Sequence, residues 1–531
     1  MTDFKQYQSY SELEKLSRHP LDLTAAGVLT AGRIERFQCR AAGFTYLYAG
    51  ERVSKEVMTA LFQLAKESGA VSKMLLMQSG GGINKIEGFD SENRAVLHTA
   101  MRSLYRTTEP KELSAEKLAA AEMEKLKRFL DEIEHKGKFK TIIQVGIGGS
   151  DLGPRALYVA LKAYAKPGFK ACFISNVDPD DAASVLASVN LKETLSVIVS
   201  KSGTTLETRT NEALVRAAYT AAGLDPKEHI IAVTGQGSPM DDPERYLRSF
   251  YIWDFVGGRY SATSMVGAVA LGFTLGLPHF EKILQGAAAM DDLAMEEDCS
   301  RNLPLLLALI GIWNRNFLHL ATVAVLPYSE ALSRFTAHLQ QCSMESNGKS
   351  CDTQGLFVDF ETGPVIWGEP GTNGQHSFFQ LIHQGTDIVP VEFIGFTKSQ
   401  YGSDLAVDKT TSQQKLLANL FAQSLSLSRG QKSDNPNKSF AGNRPSSILL
   451  AERLDPYTMG SLLALYEHRI AFEGFIWGIN SFDQEGVQLG KHLADRILKI
   501  MSKDGQESFP LGEAYLKQLP AADGNALGMR P

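Results

Sequence analysis

The stretch "LSVIVSKSGTTLETRTN", Leu195 to Asn211, passes from a β-branched apolar run through lysine, serine, glycine and two threonines into a helix-like pattern. Strand, loop and helix follow one another within a few residues, the arrangement of a βα unit. The loop has its own chemistry. Backbone N–H groups at a helix start, the hydroxyls of Ser200, Ser202, Thr204 and Thr205 and the cation of Lys201 together form an anion cradle, with phosphate as its natural guest. Serine and threonine also cap helices, and Gly203 supplies a turn, but capping alone does not call for this density of hydroxyls.

Similar apolar runs lie on either side. "TIIQVGIGG" (141–149), "KACFISNV" (170–177) and "HIIAVTG" (229–235) alternate with helical patterns, as the buried strands of a parallel sheet do. A second set, "TVAVLPYS" (322–329), "PVIWGEP" (364–370), "DIVPVEFIGF" (387–396) and "SSILLAERL" (446–454), predicts a second α/β unit. The polar stretch 428–447 is a long loop within it, by its glycine, asparagine and proline. Ahead of both sets the chain reads mostly helical, ending in "SENRAVLHTAMRSLYR" (91–106), and "EKLAAAEMEKLKRFLDEIEHKGK" (116–138) is its clearest amphipathic helix.

A chain of 531 residues exceeds what one core supports, so several domains are expected. The reading is 1–115 as a helical N-terminal extension, 116–285 and 286–475 as two α/β domains, and 476–531 as a C-terminal loop and helical tail. Lys and Arg number 54 against 60 Asp and Glu, which leaves no general basic surface for nucleic acid or an anionic membrane. Five cysteines without a C-x-x-C pair fit neither a disulfide framework nor a thiolate zinc site. The N-terminus lacks a signal-peptide core, and "LPLLLALIGIW" (303–313) is cut short by Asn314, Arg315 and Asn316. A cytoplasmic protein is expected.

Two phosphate-like motifs fail on single positions. "VGIGGSDLGP" (145–154) places Asp151 where a dinucleotide fingerprint has its last glycine. "SNGKS" (346–350) ends like a nucleotide P-loop, but Ser343 stands where the first glycine belongs. No H-E-x-x-H occurs, and His376 with His383 has no evident third ligand, so no metal site is expected.

Further polar clusters lie at loop signals: "GGRYS" (257–261), "QQCSMESNGKS" (340–350), "GEPGTNGQHSFFQLIHQG" (368–385) and "FDQEGVQLGK" (482–491). With "VGIGGSDLGP" and "SKSGTTLET" they resemble, in content and order, the glucose-6-phosphate isomerase family. "NRAVLH" (93–98) and "FAGNRPS" (440–446) extend the resemblance. It departs at Ala262, Met265 and Gln488, and at Ser202 and Gly203 in the cradle.

The resemblance implies two doubly wound parallel-sheet domains of the sugar-isomerase (SIS) type with helical N- and C-terminal extensions. It also implies the glycolytic and gluconeogenic interconversion of glucose 6-phosphate and fructose 6-phosphate by ring opening and a cis-enediol. Glu345 matches the base and Arg259 the cation that steadies the enediolate. His376, assisted by Lys491, matches the ring-opening group. Gly149 and Ser150 match the sugar side, Gln341 and Gln484 substrate contacts, and Ser200, Lys201, Ser202 and Thr205 the phosphate seat. No cofactor is implied, and the expected assembly is a cytoplasmic homodimer whose active sites are shared. Three rivals are a sugar-phosphate sensor, the isomerase half of an amidotransferase and a metal-dependent aldose isomerase. The sensor has no need of Glu345, Arg259, His376 and Lys491 together, and the amidotransferase needs an N-terminal cysteine where this chain's first is Cys39.

Overall fold

Every side chain of Thr194–Ser200 is buried, which a strand attains only where both faces of its sheet are covered. The computed structural model of the chain describes residues 3–108, 113–502 and 508–520. In chain order its strands are β1 (Gln38–Ala41), β2 (Phe44–Leu47), β3 (Thr141–Val145), β4 (Lys170–Ile174), β5 (Thr194–Ser200), β6 (Ile230–Thr234) and β7 (Ser249–Tyr251). There follow β8 (Thr322–Pro327), β9 (Val365–Trp367), β10 (Val391–Lys398), β11 (Ala406–Val407), β12 (Thr410–Thr411) and β13 (Ser446–Arg453).

One five-stranded sheet has the order β4-β3-β5-β6-β7, parallel throughout. The chain leaves β3 toward β4 on one side and β5 lies on the other, so a crevice opens beyond the carboxyl ends of β3 and β5, where doubly wound sheets hold their ligands. A six-stranded sheet has the order β1-β2-β13-β10-β8-β9. Its last four members are parallel, and the β1–β2 hairpin joins β13 antiparallel. Each apolar run read above as a strand falls on one of these strands, and the fold is α/β.

The N-terminal part differs from its sequence reading in two places. The β1–β2 hairpin turns on Ala42 and Gly43, both at positive φ (47° and 83°), the primed geometry that matches strand twist. Residues 91–102 form no helix. Asn93 sits at φ 42°, Leu97 N–H bonds to Phe255 O, and the segment carries His98 and Arg102 into the interior. There the Arg102 guanidinium pairs with Asp291 at 3.2 Å and with Glu467. Tertiary ion pairs override the local helical spacing. The amphipathic helix is present as Leu113–Lys136.

The long helix Pro456–Trp477, buried throughout from Met459 onward, runs through the core. It crosses the helix Leu277–Leu293 at two glycines. A Cβ on Gly286 would lie 1.9 Å from Tyr457 O, and one on Gly460 equally close to Ile283 O, so the two backbones touch. The apolar run at 303–313 is a buried core helix, Leu303–Ile312. No described helix is long and apolar enough to cross a membrane. Up to Phe482 the described chain, including both larger sheets, forms one compact unit; from Asp483 onward it forms a second, with helices Gln488–Met501 and Pro510–Leu516.

Candidate active site

At the carboxyl end of β3 the chain turns through Gly148–Ser150. Gln144, inside the strand, donates from Nε2 to Ser150 O at 2.6 Å and fixes the turn. A Cβ on Gly149 would lie 2.1 Å from Gly258 O and 2.8 Å from Arg259 N, so only glycine lets these two backbones meet. Ser261 Oγ, from the same turn as Arg259, donates to Gly149 O at 3.3 Å. "GIGGS" and "GGRYS", over a hundred residues apart, thus become one surface.

Next to it, at the end of β5, lies the cradle. Ser200 Oγ and Thr205 Oγ1 share a hydrogen bond of 3.0 Å, and Thr234 Oγ1 donates to Ser200 O at 2.7 Å. Thr205 stands at the N-cap of helix Leu206–Ala221 but makes no side-chain cap bond. Its hydroxyl is turned to Ser200 instead, so capping does not explain it. Ser202 Oγ accepts from Thr204 N–H at 3.2 Å and from the Thr204 hydroxyl at 2.9 Å, a local turn-forming pair. The Lys201 ammonium donates to Asp254 O at 2.8 Å and Val256 O at 3.1 Å. Burial, followed by the nearby Arg94 charge, pushes it down to about 8. Its side chain therefore ties the cradle to the segment leading into "GGRYS".

Glu345 closes a π-helical turn, Gln341–Glu345, that extends helix Phe335–Gln340. The widened turn re-aims side chains, as such turns commonly do at functional sites. Gln341 Nε2 lies 3.2 Å from where a Cβ on Gly148 would stand. Gln341 Oε1 and Glu345 Oε2 are both buried acceptors without a hydrogen-bond partner. A ligand rich in hydroxyls would satisfy both.

Arg259 stands opposite. Its Nε donates to Ser346 Oγ at 2.6 Å and its Nη2 to Ser481 O at 2.6 Å, while Nη1 is 3.6 Å from Glu345 Oε2. The arginine side chain is 1% exposed and the glutamate 18%, so the carboxylate keeps an opening that the cation lacks. Ser346 Oγ also shares a 2.8 Å hydrogen bond with the Tyr260 hydroxyl. Ser481 Oγ donates to Asn347 Oδ1 at 2.7 Å, and Asn347 Nδ2 reaches Ile470 O at 3.0 Å and Glu473 Oε2 at 3.2 Å. The "SNGKS" serine and asparagine are thus buried braces of this site and not part of a nucleotide loop. Tyr260, Ser346, Asn347 and Ser481 were not singled out by sequence reasoning; the only signal was their place inside or beside quoted motifs.

One chain thus brings together Gly149, Ser150, Arg259, Gln341 and Glu345, with Ser200, Lys201, Ser202 and Thr205 on the adjoining strand end. His376 is elsewhere. It is exposed at the end of the turn Asn373–His376 and lines a cleft of about 440 Å³ with Gln380, His383 and Phe440, whose walls include none of those residues. His383 Nε2 pairs with Gln423 Oε1 at 2.8 Å. Gln484 and Lys491 belong to the unit that begins at Asp483, Lys491 exposed on helix Gln488–Met501. Among the described residues no group of three His, Cys, Asp or Glu side chains is placed to hold a metal ion.

Comparison with known proteins gives this geometry a context. The family model for phosphoglucose isomerase matches residues 47–510. The glucose-6-phosphate isomerase of Protochlamydia amoebophila is 56% identical over 97% of this chain and 97% of its own. That of Desulfotalea psychrophila is 55% identical over 96% and 97%. The crystal structure of a glucose-6-phosphate isomerase from Chlamydia trachomatis superposes with a TM-score of 0.94 at 52% identity, covering 97% of this chain and 99% of that one. With a family model spanning most of its length and relatives more than half identical from end to end, the chain belongs to the phosphoglucose isomerase family.

Proposed function

We propose that the protein interconverts glucose 6-phosphate and fructose 6-phosphate, with Glu345 as the base that moves a proton between C2 and C1. The observation that carries this reading is the pairing of a buried carboxylate oxygen without a hydrogen bond, Glu345 Oε2, with the Arg259 guanidinium 3.6 Å away. Proton removal beside a carbonyl leaves an enediolate, whose negative oxygen needs a fixed positive partner. Arg259 is always ionised and held from two sides before substrate arrives.

The reaction begins with opening of the sugar ring, assigned to His376 with help from Lys491. Glu345 takes the proton from C2 of the open aldose, Arg259 steadies the cis-enediolate while the hydroxyl proton passes from O2 to O1, and the same carboxylate returns its proton to C1. Only protons move. Gln341 accepts a sugar hydroxyl at its unpaired Oε1, Gly149 and Ser150 flank the sugar, and Gln484 adds a further contact. The phosphate rests on Ser200, Ser202, Thr205 and the backbone around Lys201, so that its binding energy positions the reacting carbons.

The exposed position of His376, on a cleft apart from Glu345, supports a homodimer in which His376 of the partner subunit completes each site. Five cysteines, none of them in a disulfide among the described residues, support a cytoplasmic setting. The test is a coupled assay of the purified protein on fructose 6-phosphate, with and without chelator. Turnover that survives chelation supports the reading; binding without turnover would favour a sensor, and loss on chelation a metal-dependent isomerase.

A further inference from the structure

The six-stranded sheet has a switch point of its own. From β8 the chain passes to β9 on one side, while β10 lies on the other, both parallel to it. The topology that opens a crevice beyond β3 and β5 therefore opens another beyond the carboxyl ends of β8 and β10. A cleft of about 440 Å³ lies there. Ser329, two residues past β8, and Ser399 and Gln400, directly past β10, line it. So does Lys162, which follows the helix Leu152–Ala160. Neither Arg259, Gln341, Glu345 nor the cradle after β5 contributes to its walls.

The polar groups of this cleft are of two kinds. The exposed Lys162 ammonium and the hydroxyls of Ser329, Ser333 and Ser399 are donors that make no side-chain hydrogen bond or ion pair among the described residues. Lys398 adds a second cation, paired with Glu452 where both are exposed, so that the pair contributes little and yields to a stronger anion. The acceptors are fixed amides. Gln400 Nε2 donates to Ala160 O at 2.7 Å and to Leu454 O at 2.9 Å, and Gln413 Nε2 donates to Phe396 O. Each amide thus has its nitrogen committed and its Oε1 left to accept, and the Glu330 carboxylate lies on the same cleft. Tyr401, 76% exposed, sets an aromatic ring beside them.

We propose that this cleft is a second ligand site, separate from the candidate active site, and that it takes a phosphorylated sugar. The phosphate uses the lysine and serine donors, the sugar hydroxyls use Gln400, Gln413 and Glu330, and the carbon skeleton packs on Tyr401. A bare phosphate has no use for the acceptors and is repelled by Glu330. An uncharged sugar leaves the Lys162 cation without a partner. The assignment does not depend on the role of Glu345.

The test is equilibrium dialysis of the purified protein against labelled sorbitol 6-phosphate, which has no carbonyl to isomerise. At free concentrations up to about 1 mM, the parent should show a site that Lys162→Glu weakens by about ten-fold or more and Tyr401→Ala also weakens. Both residues are exposed, so the fold is kept. Thr205→Val should leave this site unchanged, since it lies in the other sheet's cradle. Binding to Lys162→Glu that overlays the parent's overturns the proposal, as does the absence of any site sensitive to Lys162. Unlabelled sorbitol and inorganic phosphate are run as competitors; displacement from the Lys162-dependent site by either, at the concentration where sorbitol 6-phosphate displaces, overturns the ligand class. Failure of the phosphate cradle would show separately, as Thr205→Val binding that matches the parent's throughout.

Discussion

Gly149 and Gly258 meet backbone to backbone: a Cβ on the first would stand 2.1 Å from the carbonyl oxygen of the second. This contact joins the turn after β3 to the turn that carries Arg259, and it fixes where the cation stands beside the proposed sugar site. Gly149→Ala must push the two turns apart. Since misplacing a catalytic group by about 1 Å costs on the order of 10²-fold, kcat/KM should fall by about that factor while the fold persists. Steady-state kinetics with a thermal melt checks both; parent-like kinetics would show that the contact is not needed.

The cradle makes a separate prediction. Thr205→Val removes a hydroxyl that bonds Ser200 and does not cap its helix. A hydrogen bond to a charged group contributes roughly 1.5 to 3 kcal/mol, so binding of 6-phosphosugars and of inorganic phosphate should weaken together by about ten-fold or more. Competition by phosphate against substrate reads this directly. Equal inhibition of variant and parent would remove Thr205 from the phosphate seat.

Glu51 yields a prediction about stability. It is fully buried, its carboxylate accepts from Asn314 Nδ2 at 3.0 Å, and burial raises it to about 7. The folded carboxyl therefore binds its proton more tightly than the unfolded one. Its contribution is fully present below the usual carboxylate range, near 4.5, and is lost as pH rises through 7. Relative to Glu51→Gln, the parent should lose up to about 3 kcal/mol between pH 4.5 and 7.5. Denaturant unfolding of both proteins at the two pH values measures it; a constant difference would refute it.

The shared site can be tested by mixing. If Glu345→Gln and His376→Ala chains pair at random, about half of the dimers are mixed, and each mixed dimer holds one doubly damaged site and one intact site. About a quarter of all sites should then recover, given two-fold symmetry and no preference in pairing. A mixed dimer isolated with two affinity tags and found as inactive as either parent would show that both residues act within one chain.

The parallel strands of the two larger sheets, short β7 apart, were legible because a strand covered on both faces reads as an unbroken apolar run; Thr194–Ser200 is buried at every position. The hairpin Gln38–Leu47 was not, since its strands are short and its turn places Ala42 at a positive φ that alanine seldom adopts. Residues 91–102 carry helical spacing, but Arg102 is committed to acids at 291 and 467, a requirement invisible in a local window. In the proposed site, Arg259, Glu345 and the cradle all lie within the quoted motifs. The braces at Ser346 and Ser481 lie 87 and 222 residues from Arg259, and only folding brings them to it. Lys201 was legible as a cation, but its commitment to the carbonyls of Asp254 and Val256 was not.

The central claim is that Glu345 moves the proton. The most direct measurement is the turnover of purified Glu345→Gln on fructose 6-phosphate beside the parent, with KM determined for both. An amide of the same size cannot accept the proton, and a general base contributes about 10²- to 10⁴-fold. The expected result is therefore a kcat lower by that factor, with KM changed by no more than a few fold. Turnover within about two-fold of the parent would contradict the account, since no general base of that weight could then reside at Glu345.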